Sequence, residues 1–126
     1  MKHFVLLLSA ATFLTACAQT SVQRMSKSTF QVASTTAPIC GRSGAAKMTS
    51  KVAAIEVIKA GGDRFVISSA DAGSEFSGGI MPRAQQGIIV KMVDGDDPEF
   101  ADSLSARELL GDKWEKQVRK GKPSTC

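Results

Sequence analysis

The 126-residue chain carries 16 basic and 12 acidic side chains, one histidine and no tyrosine, for a formal charge of +4. That length holds one small domain and excludes two. The positive excess is mild and spread along the chain, which excludes a nucleic-acid partner and leaves anionic lipid head groups or cell-wall polymers as better matches.

Met1-Lys2-His3 opens the chain, and Phe4 to Phe13 follows with only Ser9 and Thr12 as polar interruptions. A positive start, an apolar run of about a dozen residues and small residues beyond it form a secretory signal, too short to span a bilayer as a mature helix. Leu14-Thr15-Ala16-Cys17 resembles the bacterial lipobox, where a large aliphatic residue and two small ones precede a cysteine. The resemblance implies diacylglyceryl transfer to the Cys17 sulfur, cleavage after Ala16 and acylation of the new amino terminus, so the first partner is a lipid bilayer. Two or three acyl chains anchor stably where one does not. Ala18, rather than Asp, after the cysteine resembles an outer-membrane address facing the periplasm, with the inner membrane as the alternative.

Removal of residues 1–16 takes Lys2 and His3, leaving 15 basic against 12 acidic side chains, a charge of +3. Cys17 is consumed by lipid, and Cys40 and Cys126 remain in an oxidising compartment where paired thiols persist. An intramolecular Cys40–Cys126 disulfide is favoured over an intermolecular bridge or free thiols. Two distant cysteines without a mature histidine are too few for a metal site, so no metal and no cofactor are expected.

Residues 17–27 are expected to be the lipidated cysteine and a polar tether, with residues 18–27 reaching about 18 Å if flexible. A single α+β domain over 28–126 follows. Thr29 to Ala33 alternates and is β-rich, the first predicted strand, and Ser34 to Pro38 is expected to break it. Ala45 to Ala60 is the longest helical signal, with Ser43 as N-cap and Gly61-Gly62 as the stop. Met48, Val52 and Ile55 form its stripe, beside Ile58, with Ala45, Ala53, Ala54 and Val57 making the surface apolar on further sides.

Phe65 to Ser69 reads as a second strand. The Gly- and Ser-rich stretch 70–86 reads as a long loop, the most mobile part of the domain and, with the tether, the first target of a protease. Ile88 to Val93 reads as the third strand. Asp94-Gly95-Asp96-Asp97-Pro98 is turn chemistry. Ser105-x-x-Glu108 and Asp112-x-x-Glu115 are capping-box patterns for short helices over Ala106–Leu110 and Lys113–Lys120. The expected fold is α+β: a small sheet of three or four strands with one long helix and short C-terminal helices packed on it.

The stretch from Ala53 to Ile67 and the Cys40-Gly41 start resemble small proteobacterial envelope lipoproteins, and more loosely the disulfide-bonded stress-sensor lipoproteins of the Rcs type. These are packing motifs, so the resemblance implies a fold and an address but no active-site residue.

Catalytic residues are not expected. The mature chain lacks histidine and tyrosine, which removes the commonest general base. Ser43 and Lys47 stand one helical turn apart, but Ser43 is better explained as a cap. Asp63 and Arg64 read as a structural turn. Asp94, Asp96, Asp97 and Glu99 lack EF-hand spacing, so a solvated acidic turn outweighs a calcium site. Trp114 repeats with Leu110 and Val118 at helical spacing and is expected in the core. Lys113, Lys116, Arg119, Lys120 and Lys122 make the C-terminus the most basic surface. The function these features favour is a non-enzymatic, membrane-anchored module that binds another envelope protein; the alternative is a peptidoglycan- or glycan-binding module.

Overall fold

The structure is a computed structural model and describes residues 18–75 and 83–126; for 71–75 and Arg83 it describes the backbone alone. The signal segment, with Leu14, Thr15, Ala16 and Cys17, lies outside the described residues.

Five strands make one sheet: β1 (Ala18–Arg24), β2 (Thr29–Thr36), β3 (Arg64–Glu75), β4 (Arg83–Met92) and the two-residue β5 (Leu104–Ser105). Their order is β1-β2-β4-β3-β5, and every pairing is antiparallel. The fold is therefore α+β as expected, with five strands in place of three or four.

The extra strand overturns the tether. Residues 18–24 pair along their whole length with β2, from Ala18 opposite Thr36 to Arg24 opposite Phe30. Only Met25 to Ser28 remain as a turn, tightened by Met25 and Ser26 N–H groups donating to the Thr29 carbonyl at 2.9 and 3.0 Å. The expected break at 34–36 is also absent, because β2 runs on to Thr36 with Ser34 and Thr36 buried on its inner face. The expected 70–86 loop is mostly hairpin: β3 and β4 pair from Asp71 opposite Gly87 to Glu75 opposite Arg83. Residues 76–82 lie outside the described residues.

One long helix, α1 (Gly41–Lys59), covers one face of this sheet. Its 19 residues make a rod of about 28 Å. It begins four residues before the expected start, and Ser43 is not its cap. A single 3₁₀ turn over Pro38–Cys40 feeds directly into it, and Gly41, at φ 63°, takes the left-handed conformation that joins the two. At the other end the stop signal works as expected. Gly61, at φ 86°, donates to the Ile58 carbonyl and Gly62 to the Val57 carbonyl, the double bond of a Schellman ending.

Ala45, Met48, Thr49, Val52, Ala53, Ala54, Ile55 and Val57 of α1 are all buried, too broad a surface for a single stripe. The reason is that α1 is covered twice. Val52 and Ile55 meet Phe30, Val32, Ile88 and Val90 of the sheet in one core cluster, which Ala106 and Leu110 join. The latter belong to α2 (Ala106–Leu110), and α3 (Trp114–Lys120) lies beside it, with Trp114 and Val118 half-buried against the same core. The small residues Ala53 and Ala54 allow this close approach on more than one side.

Among the described residues, no helix lies over the opposite sheet face. Gln31, Ala33 and Thr35 of β2 stand there opposite Ile89, Gly87 and Gln85 of β4. Alternation with the buried Phe30, Val32, Ser34 and Thr36 is what a sheet wet on one side requires. Among the described residues, no helix is long and apolar enough to cross a membrane.

Candidate functional site

The features that chemistry could use gather where the chain enters the domain. The Ala18 N–H donates to the Ser124 carbonyl at 2.8 Å, and Ala18 is buried. The first strand is thus fastened to the C-terminal segment from its first residue. Cys40 and Cys126 form a disulfide with their Cα atoms 6.0 Å apart, so the same segment is also bonded to the 3₁₀ turn before α1. Gly44, on the first turn of α1, faces this bridge. A Cβ placed on it would lie 2.8 Å from Cys40 Cβ and 3.8 Å from Cys126 Cβ. Cysteine counting anticipates the bridge, but it gives no sign that Gly44 must be small.

The segment between α3 and Cys126 lies along α1 and leaves an open groove of about 390 Å³. Lys51, Lys120 and Lys122 line it, with Gln117, Ser124 and Thr125. Lys47, one turn before Lys51, lines a smaller hollow beside Cys126. All four lysines are exposed, and among the described residues none has a salt-bridge partner. Gln117 is held in place, its Nε2 donating to the Leu110 carbonyl at 2.7 Å. An open groove with three free ammonium groups, and a fourth in the hollow beside it, suits an extended anionic surface better than one enclosed small molecule.

The other candidate residues have structural duties. The Asp63 carboxylate accepts from Ser105 Oγ at 2.9 Å and from the Arg107 N–H at 3.0 Å, so it holds the start of α2. Ser105 accepts from the Glu108 N–H at 3.3 Å, the N-cap half of the first expected capping box. The second does not form: Lys113, not Asp112, occupies the N-cap position of α3, without a side-chain cap bond. Arg64 donates to the Ser103 carbonyl at 3.3 Å and stands 5.4 Å from the Phe100 ring. Arg107 stands 5.0 Å from the Trp114 ring, whose other contacts are with the core. Ser43 and Lys47 both lie exposed on the first turns of α1.

The acidic turn closes on a lysine. Lys91 Nζ stands 2.7 Å from Glu99 Oε2 and 3.4 Å from Asp97 Oδ2, and the Glu99 N–H donates to Asp97 Oδ1 at 2.9 Å. Asp94 and Asp96 stay outside this triad. Among the described residues, no group of three or more His, Cys, Asp or Glu is arranged to hold a metal ion.

The Glu99 N–H bond, and then Lys91, hold the Asp97 carboxyl below its ordinary value of 3.8. The hydrogen bond to Glu99, and then Asp97, raise Lys91 above 10.5. A depressed carboxylate contributes stability above its unfolded pKa and loses it as pH falls through the folded one. A raised lysine contributes below its unfolded pKa and loses it as pH rises through the folded one. The turn is therefore expected to hold from mildly acid to mildly alkaline pH and to loosen at both extremes. NMR titration of the Asp97 carboxyl is the check; a midpoint at or above 3.8 would contradict the bonded turn.

Comparison of the chain with protein-family profiles, with curated proteins and with solved structures returned no match.

Proposed function

We propose that this chain is a lipid-anchored module of the bacterial envelope, attached through Cys17 and working without catalysis by binding another envelope protein. The observation that carries the reading is the entry of the chain at Ala18. This residue, next after the expected lipidated cysteine, is already a buried, hydrogen-bonded part of the sheet. An anchor at Cys17 would then hold the domain against the membrane with no slack, and the disulfide at the same end ties down the turn and tail around it. Such a geometry suits a protein whose position matters more than its reach. The face bearing Gln31, Ala33, Thr35, Gly87 and Ile89, which no helix covers among the described residues, offers a surface for a partner. The glycan-binding alternative has less support, because Trp114 packs on the core and lies under Arg107 instead of presenting a free ring.

Metabolic labelling with a fatty-acid probe tests the anchor. The wild type is expected to take up label and Cys17→Ser to take up none and stay uncleaved; equal labelling would sink the reading. Crosslinking in intact envelopes with mass-spectrometric identification tests the partner. Recovery of the chain with purified peptidoglycan, and with no protein, would favour the glycan-binding alternative.

A further inference from the structure

We infer that the lysine-lined groove between α1 and the C-terminal segment is the surface on which the domain lies against the bilayer, its ammonium groups contacting the phosphates of anionic phospholipids. The inference deepens the anchored reading and rests on it. Three observations converge. Ala18 donates to Ser124, so the chain enters the domain beside the segment that lines the groove, and an anchor at residue 17 would bring this flank to the head groups.

The second observation is charge. Lys51, Lys120 and Lys122 line one groove and Lys47 the next, all exposed and without salt-bridge partners among the described residues. At the other end of the domain Lys59 pairs with Glu56 and Lys91 with Asp97 and Glu99, while Arg24 and Lys27 there have no salt-bridge partner among the described residues. The third is Ile39, 76% exposed and adjacent to the disulfide residue Cys40, an apolar side chain at the same end of the domain as the bridge. A flat anionic surface engages separate lysines without an enclosed pocket. Each lysine close to such a surface adds about fivefold to binding, so three add on the order of a hundredfold.

The test uses residues 17–126 with Cys17→Ser, unlipidated and oxidised. This span contains every core residue described above and the disulfide, and its circular dichroism spectrum and cooperative melting are checked before binding is measured. Co-sedimentation is measured with phosphatidylglycerol-containing vesicles and with neutral phosphatidylcholine vesicles. Binding is expected to the first and not to the second. Replacing Lys51, Lys120 and Lys122 together by glutamine should lower it on the order of a hundredfold with the circular dichroism spectrum unchanged. Removing three charges at the far end instead, with Arg24, Lys27 and Lys59 replaced by glutamine, should lower it by less than about tenfold, because salt screens charges beyond about 8 Å.

Equal losses in the two triple variants would overturn the inference, as would equal binding to both kinds of vesicle or none to either. Displacement by inorganic phosphate at constant ionic strength would overturn it in favour of a free-anion site. Lysine-dependent sedimentation with peptidoglycan, without vesicle binding, would assign the groove to the cell wall. Because the tested protein carries no lipid, failure here leaves the anchor at Cys17 standing, and failed fatty-acid labelling would leave the vesicle result standing.

Discussion

Phe65→Ala is expected to destabilise the domain by about 3–5 kcal/mol, a large share of the 5–15 kcal/mol that typically holds such a domain folded. Phe65 is fully buried in β3, opposite Met92 of β4 and Leu104 of β5. It belongs to the cluster that joins α1, the sheet and α2, so truncation leaves a cavity bordered by three elements that cannot all close in. Phe100→Ala is the matched control. Its ring is 36% exposed and touched by the Arg64 guanidinium, an exposed contact of order 0.5–1 kcal/mol. Urea unfolding of both variants checks the difference. Similar losses for the two would mean that the core is not organised around Phe65.

What the sequence shows of this fold follows where apolar side chains fall. Val52, Ile55, Phe65 and Val90 carry periodic signals, and around them the helix and the strand centres appear where expected. Ser105 and Glu108 announce α2 because a capping box is a local device, complete within four residues. The missed strand positions are polar or small. Along β1, Gln19, Ser21 and Gln23 face the same side as Gln31, Ala33 and Thr35, the wet face, so no alternation of apolar residues marks the strand. On the inner face, Ser34, Thr36 and Ala84 are buried, and small or hydroxylated residues fill a place where valine would have signalled a strand. Backbone pairing carries these positions, and backbone pairing has no residue signature.

The same distinction governs the candidate site. Cys40 and Cys126 can be paired by counting, since the expected lipidation of Cys17 would leave two. The groove cannot be found that way. Lys51 lies mid-helix and Lys120 and Lys122 near the end of the chain, and the packing of α3 on the core, the bridge and the Ala18–Ser124 bond bring their segments side by side. Basic residues were legible as a C-terminal group, but Lys113, Lys116 and Arg119 do not line this groove, whereas Lys51 does.

Breaking the disulfide is expected to cost about 2–4 kcal/mol, because the bridge closes a chain separation of 86 residues and restricts the unfolded state accordingly. Cys40→Ser and Cys126→Ser should each lower the melting temperature by on the order of 10–20 °C. The double variant should be no worse than either single one, since the same bond is lost each time. Reductant should reproduce the shift in the wild type and leave the variants unchanged. Two titratable thiols in protein isolated oxidised, under thiol-blocking conditions, would end this account; a dimer lost on reduction would replace it with an intermolecular bridge.

Gly44 sharpens the test. Alanine is normally favoured over glycine inside a helix by about 1 kcal/mol. Here its Cβ would meet Cys40 Cβ at 2.8 Å, and the bridge to Cys126 restrains Cys40 from moving away. Gly44→Ala is therefore expected to destabilise the oxidised protein by about 1–3 kcal/mol, as overpacking does. With Cys126→Ser the 3₁₀ turn at Pro38–Cys40 is free to move away, and the same substitution should cost markedly less. Thermal melts of the four proteins in this cycle measure the coupling. An equal cost in both backgrounds would show that the turn is held by its own backbone and that the disulfide merely decorates it.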